Sequence, residues 1–327
     1  MSGERRINEE VATGTAATEI VRLVDHLNCL EEGDKTVAKL ILRGPAAIEP
    51  LKDFLFLGKP SVIYQPRRWA IEALEGIGAK EALAEYLKWK KYLPDPAVRL
   101  AEEAVENAAA KALGAWGTDD VFQALLEGVT PQPRIGLVEA LGEFKRAEPI
   151  PYFIHALEDD VCRSAAAEAL RKLGSVAVPH LLEAAVTRIP SPEEETPSSV
   201  LRRVSALKLL GEIELTLDSW PLLRPLLSES PSDVVIAAAD IASKLGNPED
   251  KTLAVRRLLE ILPSAEWSAR EEIETCLVRL YPAAKDILDR ETTSRNSLPD
   301  EHRVQDRALR TLLRVRRRIE AAELRTS

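Results

Sequence analysis

The stretch Asp160–Ala185 reads DVCRSAAAEALRKLGSVAVPHLLEAA, and it decides the fold of this chain. An alanine-rich segment runs to Leu173 and Gly174, and a leucine-rich segment follows. Apolar residues recur at three- and four-residue steps on both sides of this junction, which is the spacing of one helical face. Each half therefore predicts a helix whose apolar face only neighbouring helices can bury.

The same unit returns along most of the chain, with junctions 28 to 37 residues apart. That interval is the length of two helices and two short turns. The aligned junction residues are Gly44, Gly78, Gly114, Gly142, Gly174, Gly211, Gly246 and Tyr281. Glycine accepts the left-handed conformation that ends a helix, and proline early in the next helix needs no N–H partner. Prolines of this kind are Pro45, Pro149, Pro179 and Pro282. Small residues on the first helices predict that these helices approach closely.

The head of the central unit carries Asp160, Val161 and Arg163, and its second half carries Val178, Pro179, Leu181 and Leu182. On these residues the chain resembles HEAT-repeat proteins, of the HEAT-like subtype first associated with phycobilin lyases. Related heads begin at Pro66 and Pro96, and the pattern covers roughly Asp34 to Asp289. We expect an all-α chain: a right-handed α-solenoid of about eight HEAT-like helix pairs with a C-terminal capping helix. The repeat type implies architecture, not activity.

The chain divides on sequence into four segments. Residues 1–18 predict a polar N-terminal arm, residues 19–291 the repeat array, residues 292–299 a linker, and residues 300–327 a basic amphipathic helix. Within the array, residues 189–199 read IPSPEEETPSS and predict a solvated, protruding insertion. An acidic docking segment is the alternative for this insertion.

Charge and composition favour a cytoplasmic protein with a protein partner. The net charge is −9 and the pI is about 5.3, which argues against nucleic-acid binding as the default. Cys29, Cys162 and Cys276 are scattered, so we expect reduced, buried thiols and neither a disulfide framework nor a thiolate metal site. The N-terminal MSGERRINEEVATG lacks an apolar signal region, and no stretch approaches the roughly 20 apolar residues that span a bilayer. We expect a monomer without a membrane partner.

The C-terminal segment is basic in an otherwise acidic chain. Residues 301–327 hold eight arginines and four acids, a charge of 8 − 4 = +4, which leaves −13 for the other 300 residues. A helix here places the arginines in one narrow stripe, and the candidate binding residues are Arg303, Arg307, Arg310, Arg314 and Arg317. Such a helix can bind an anionic partner, or it can cap the last repeat with its apolar side and leave its arginines in solvent.

Aromatic residues gather in the early repeats. Lys88, Trp89, Lys91 and Tyr92 form a second candidate partner surface, because an exposed Trp or Tyr beside cations is a frequent interface anchor. The alternative is that these aromatics belong to the core and that the lysines form its solvated rim.

Catalytic patterns are absent from the sequence. No GxxxxGK, HExxH or GxSxG motif is present. HEAT-repeat deoxyhypusine hydroxylases carry His-Glu pairs that hold iron, whereas His26, His155, His180 and His302 are followed by Leu, Ala, Leu and Arg. We therefore expect no catalytic, cofactor or metal residues, and a non-catalytic scaffold that binds a protein through a concave second-helix surface. A bilin-lyase-like enzyme or chaperone is the first alternative, and nucleic-acid binding through the basic helix is the second.

Overall fold

The structure is a computed structural model that describes residues 16–89, 91–190, 195–213, 215–299 and 306–326. Within these ranges the elements are helices and turns, and the one β-type pairing is an isolated antiparallel bridge between Pro190 and Glu195. The chain divides into two compact units, Met1–Lys172 and Leu173–Ser327.

The first unit is built from two stacks of helices. Its helices are α1 (residues 16–26), α2 (Gly33–Arg43), α3 (Ile48–Phe56), α4 (Gln65–Ile77), α5 (Lys80–Lys88), α6 (Pro96–Gly114), α7 (Asp119–Glu127), α8 (Ile135–Glu143), α9 (Ile150–Ala156) and α10 (Arg163–Leu173), which ends at the unit boundary. Helices α2, α4, α6 and α8 pack side by side as first helices of successive repeats, and α3, α5 and α7 pack side by side as second helices.

The second unit continues the helix-pair pattern. It contains α11 (Val178–Val186), α12 (Pro197–Glu212), α13 (Trp220–Leu223), α14 (Ser232–Leu245), α15 (Pro248–Ile261), α16 (Trp267–Asn296) and α17 (Arg307–Thr326). Short 3₁₀ turns, Gly174–Ala177, Leu217–Ser219 and Arg224–Ser228, adjoin α11 and α13. The first helices α12, α14 and α16 pack in sequence, and α17 packs against α16. The predicted all-α, solenoid-type fold is confirmed.

The first helices of the first unit approach one another closely, as their small residues predict. A Cβ added at Gly142 would lie 2.9 Å from the Cβ of Ala169, and one added at Gly114 would lie 2.9 Å from the Cβ of Ala140. These separations are shorter than ordinary carbon contacts, so a larger side chain would force the helices apart. Buried leucines such as Leu74 and Leu113 fill the space behind them.

The turns between paired helices follow the glycine prediction at some junctions only. Gly44, Gly78 and Gly174 have φ values of 60°, 87° and 57°, in the left-handed region that glycine adopts without strain. In the third and fourth repeats the left-handed residue is Gly117 or Lys145, because Gly114 and Gly142 are used for helix packing. At the eighth junction Tyr281 and Pro282 lie inside α16, which is kinked at Ala284. Proline removes a hydrogen-bond donor there, and no glycine is present to reverse the chain.

A recurring arginine ties each of several repeats to the preceding one. Arg67 and Arg163 occupy the same repeat position, since 78 − 67 = 11 and 174 − 163 = 11. These two arginines and three others each donate to a carbonyl at the C-terminal end of a helical segment in the preceding repeat. The last carbonyls of a helix have no intrahelical partner. The donor and acceptor atoms are Arg67 Nη2 to Leu55 O at 2.8 Å, Arg134 Nη2 to Gly128 O at 3.1 Å, Arg163 Nε to Leu157 O at 3.1 Å, Arg203 Nε to Ala185 O at 2.8 Å, and Arg257 Nε to Leu227 O at 3.1 Å. We call these five residues the arginine ladder.

The insertion at 189–199 is anchored more firmly than its sequence indicates. Residues 191–194, with Glu193 and Glu194, lie outside the described residues. Glu195, however, is nearly buried and pairs with the fully buried Arg203 at 2.6 Å. Ser199 donates to Glu195 and accepts from the backbone N–H of Ile189, and α12 already begins at Pro197. The prediction of a solvated segment is therefore wrong for Glu195, because a buried guanidinium needs its carboxylate.

The two terminal segments also differ from their predicted bounds. Residues 16–18 are helical, and residues 1–15 lie outside the described residues. The predicted linker is helical up to Asn296, and within it Thr292 and Thr293 donate to carbonyls one turn back. Beyond it, α17 buries Ala308, Leu309, Leu312, Val315 and Ile319.

Replacing Arg203 by alanine tests the ladder. Arg203 also pairs with Glu229 at 2.6 Å. Its loss leaves the nearly buried Glu195 without its cation, whereas Glu229 keeps Arg188 at 2.7 Å. We expect Arg203→Ala to lower the free energy of unfolding by about 3 kcal/mol. Urea unfolding followed by far-UV circular dichroism measures this as a lower midpoint. Arg256→Ala, at an exposed arginine without an ion pair to any described residue, is the control and should change the free energy by less than about 0.5 kcal/mol. Equal urea midpoints for the two variants would show that the arginine ladder does not stabilise the fold.

Candidate functional site

A groove of about 800 Å³ crosses the first unit at the N-terminal ends of successive first helices. Its lining comes from the turn before α4, the first half of α6, the start of α8 and the turn before α10. Four consecutive repeats therefore contribute to one surface. We call this cavity the first-unit groove.

The apolar part of the groove is exposed to solvent. Leu100 is 69% exposed and Val161 is 67% exposed, and Val62 and Tyr64 are also exposed. Tyr64 precedes α4, Leu100 lies in α6 and Val161 precedes α10, so exposed apolar side chains from different repeats line the groove.

Several polar groups of the groove are already used to hold helix starts. The Asn107 side chain accepts from the Gly136 N–H at 2.9 Å, and Asp159 accepts from the N–H groups of Val161 and Cys162, both at 2.9 Å. Arg99 and Glu103, one helical turn apart on α6, make no ion pair with any residue that the structure describes. These two charges are available to a ligand.

A second cavity of about 410 Å³ adjoins the groove and shares Arg99, Glu103 and Arg134 with it. It lies between the ends of α5 and α7 and the middle of α6. Glu106 stands eleven residues before Gly117, the left-handed residue of the third repeat, and so holds the position that Arg67 and Arg163 hold in their repeats. The third repeat therefore lacks the ladder arginine at its head, and both cavities are located there.

Buried charges support the floor of the second cavity. Glu102 is 3% exposed and accepts from Arg67 Nε and Nη2, both at 2.9 Å. Lys91 and the Tyr86 hydroxyl also contact Glu102, and Arg134 pairs with Glu106 at 2.7 Å. Burial would raise the pKa of Glu102, but the hydrogen bond from Arg67 and the charge of Lys91 outweigh it, so its pKa is lowered. Burial also raises the pKa of Tyr86 well above its ordinary value.

The predicted early patch separates into buried and exposed residues. Lys91 is almost buried and lies over the rings of Tyr86 and Trp89, so it belongs to the charge network rather than to an open surface. Trp89 is half-buried and packs on Phe56 with ring centroids 5.0 Å apart. Lys88 is exposed but pairs with Glu127, and Tyr92 is 90% exposed.

The predicted arginine stripe lies on α17, with Arg303 outside the described residues. Arg307, Arg310, Arg314 and Arg317 are all exposed. Arg314 pairs with Glu274 of α16 at 2.9 Å. The stripe and the first-unit groove lie in different units.

Sequence reasoning missed the residues that shape the groove. Arg67, Glu102 and Arg134 are charged residues in a helical pattern, and such residues are usually exposed to solvent. A signal was available in the repeat alignment, in which Glu106 replaces an arginine.

The residues that the structure describes contain no group of three or more His, Cys, Asp or Glu side chains placed to hold a metal ion. Among the same residues, no helix combines the length and apolar character that crossing a bilayer requires.

Comparison with known families gives a match to the PBS lyase HEAT-like repeat over residues 163–187. The match covers one repeat, and stacked helix pairs lie on both sides of it. The chain contains a HEAT-like repeat. A structure of human deoxyhypusine hydroxylase in complex with glycerol is similar at 19% identity and a TM-score of 0.30, covering 83% of this chain and 99% of that one. A search of curated proteins found no match.

Glu102 and Glu103 offer a matched test of the charge network. Glu102→Gln leaves Arg67 and Lys91 without their shared carboxylate, and we expect the free energy of unfolding to fall by about 3 kcal/mol at pH 7. Glu103→Gln should change it by less than about 0.5 kcal/mol. Urea unfolding of both variants measures the difference.

The difference in the free energy of unfolding between wild type and Glu102→Gln depends on pH. Because the pKa of Glu102 is lowered in the folded protein, its stabilising contribution is present above the ordinary glutamate pKa of about 4.3 and is lost as the pH falls through the folded pKa. The free energies of unfolding of wild type and Glu102→Gln should therefore become more similar as the pH falls. A gap that widens below pH 4 would contradict this assignment.

Thiol labelling tests the burial of the groove. The prediction of three buried thiols is wrong for Cys29, which is exposed, whereas burial and nearby carboxylates raise the pKa of Cys162 and of Cys276 to about 12 each. We expect iodoacetamide at pH 8 to label Cys29 alone in the native protein, because the thiolate is the reactive form. Mass spectrometry of wild type and Cys29→Ser measures this, with urea-unfolded protein as the control for full labelling. Rapid native labelling of Cys162 would show that the groove opens.

Proposed function

We propose that this protein is a non-catalytic scaffold whose first-unit groove binds an extended segment of a partner protein. The observation that carries the proposal is the row of exposed apolar side chains, Tyr64, Leu100 and Val161, along a cavity that four repeats share. Exposed apolar side chains in a contiguous cavity are typical of binding sites, whereas isolated ones are not.

The dimensions of the groove favour an extended peptide. First helices pack about 9 Å apart, so three steps between four repeats span about 27 Å. An extended chain advances about 3.3 Å per residue, which gives a segment of about eight residues. Alternate side chains of such a segment would meet the apolar row, and Arg99 and Glu103 would contact its polar groups.

This proposal differs from the sequence-based one in its location. The concave second-helix surface stays a prediction, as do the cytoplasmic location and the monomeric state. The groove is favoured because the stacked first helices hold its lining in place before a partner arrives, which reduces the ordering cost of binding. The activity of a PBS lyase is not carried over, because the match covers one repeat.

A pair of exposed leucines provides the test. Peptides are selected from a random-sequence phage library on the full chain, and their affinities are measured by fluorescence anisotropy. We expect Leu100→Glu to weaken groove-binding peptides at least about tenfold, because it places a charge in the apolar row. Leu42→Glu is the control, since Leu42 is 87% exposed on α2 and does not line the groove.

Two results would overturn the proposal. One is equal weakening by Leu42→Glu and Leu100→Glu, and the other is full affinity of every selected peptide for Leu100→Glu. Circular dichroism of both variants confirms that the fold is unchanged.

A further inference from the structure

Helix α17 presents a row of arginines on one side of the second unit. At about 100° per residue, Arg307, Arg310, Arg314 and Arg317 fall within an arc of about 80°. Arg307 and Arg314, like Arg310 and Arg317, are seven residues apart, which is two helical turns or about 10.5 Å. All four side chains are exposed.

The opposite side of α17 is already covered. Leu309, Leu312 and Val315 are each 2% exposed, and α17 packs against α16. Insertion of an amphipathic helix into a membrane needs this apolar face to be available. The packing therefore disfavours a lipid surface as the ligand of the row.

The row is only partly neutralised by the protein itself. Glu274 of α16 pairs with Arg314 at 2.9 Å and with Arg318 at 3.3 Å. Arg307, Arg310 and Arg317 make no ion pair with any residue in the described ranges. Three guanidinium groups, which span ten residues of α17, thus face solvent.

The surroundings of the row favour carboxylates over nucleic-acid phosphates. The segment Arg307–Thr326 contains no aromatic side chain on which a base could stack. The net charge of the chain is −9, so a long polyanion that extends beyond the row meets repulsion, whereas a short acidic segment does not. Arginine binds carboxylates with two parallel hydrogen bonds, which fixes their position.

We propose that this row binds an acidic helix of a partner protein. A helix with glutamates at positions i, i+3 and i+10 repeats the spacing of Arg307, Arg310 and Arg317, so each of these guanidinium groups can face one carboxylate. Glu274 provides an example of this type of ion pair within the protein, because it is a helical carboxylate that pairs with two arginines of α17. This site is separate from the first-unit groove and does not depend on it.

The test uses the full chain and synthetic probes. The main probe is a fluorescein-labelled 18-residue helical peptide with glutamates along one face, and its control is a peptide of the same composition with the glutamates spread around the helix. Binding by fluorescence anisotropy is compared for wild type, for Arg307→Gln with Arg310→Gln and Arg317→Gln, and for Lys35→Gln with Lys39→Gln and Lys59→Gln. The second triple variant removes the same charge from exposed lysines of the first unit.

We expect the arginine triple variant to weaken the one-face peptide about tenfold, and the lysine triple variant to change it less than twofold. Added salt should weaken the interaction, because the pairs are exposed. A 20-base single strand, a 20-base-pair duplex and phosphatidylserine vesicles complete the set of probes. Equal affinity for both peptides, equal loss in both triple variants, or tighter arginine-dependent binding of nucleic acid or vesicles would each overturn the proposal.

Discussion

The end of a second helix carries carbonyl groups that have no partner within the helix, and in this protein guanidinium groups from the following repeat satisfy them. Arg67, Arg163 and Arg203 each make this contact while partly or fully buried. A buried guanidinium in turn requires a carboxylate. The positions of Glu102 and Glu195 follow from that requirement, and with them the anchoring of the insertion before α12.

Close packing of first helices and the arginine ladder act on different ends of the same repeat. Gly142 and Ala169 bring two first helices together, and Arg163 joins the head of α10 to the end of α9. The third repeat keeps the close packing through Gly114 but carries Glu106 in place of the head arginine. The first helices therefore stay packed in the third repeat, but the hydrogen bond from a head arginine to the preceding second helix is missing. The two cavities lie at this position.

The two proposed surfaces would bind their partners through different interactions. The first-unit groove combines exposed apolar side chains with Arg99 and Glu103, so burial of apolar area would supply affinity and the two charges would supply orientation. The row on α17 has its apolar side covered by α16 and offers only guanidinium groups. Its binding would depend on salt and on the spacing of carboxylates. A scaffold with both surfaces can contact a partner through one unit or through each.

The sequence by itself determined the repeat, the helix pairs and the arginine-striped face of α17, because helical periodicity and a fixed repeat length are local properties of the chain. It did not determine which charges are buried. Glu102 and Glu103 are neighbours in sequence, yet one is enclosed by Arg67 and Lys91 and the other faces a cavity. It also assigned Lys91 to a surface and Cys29 to the core, and the structure reverses both. Only the tertiary structure decided these matters, because burial and ion pairing depend on residues from other repeats, such as Arg67 and Glu102, that are 35 positions apart.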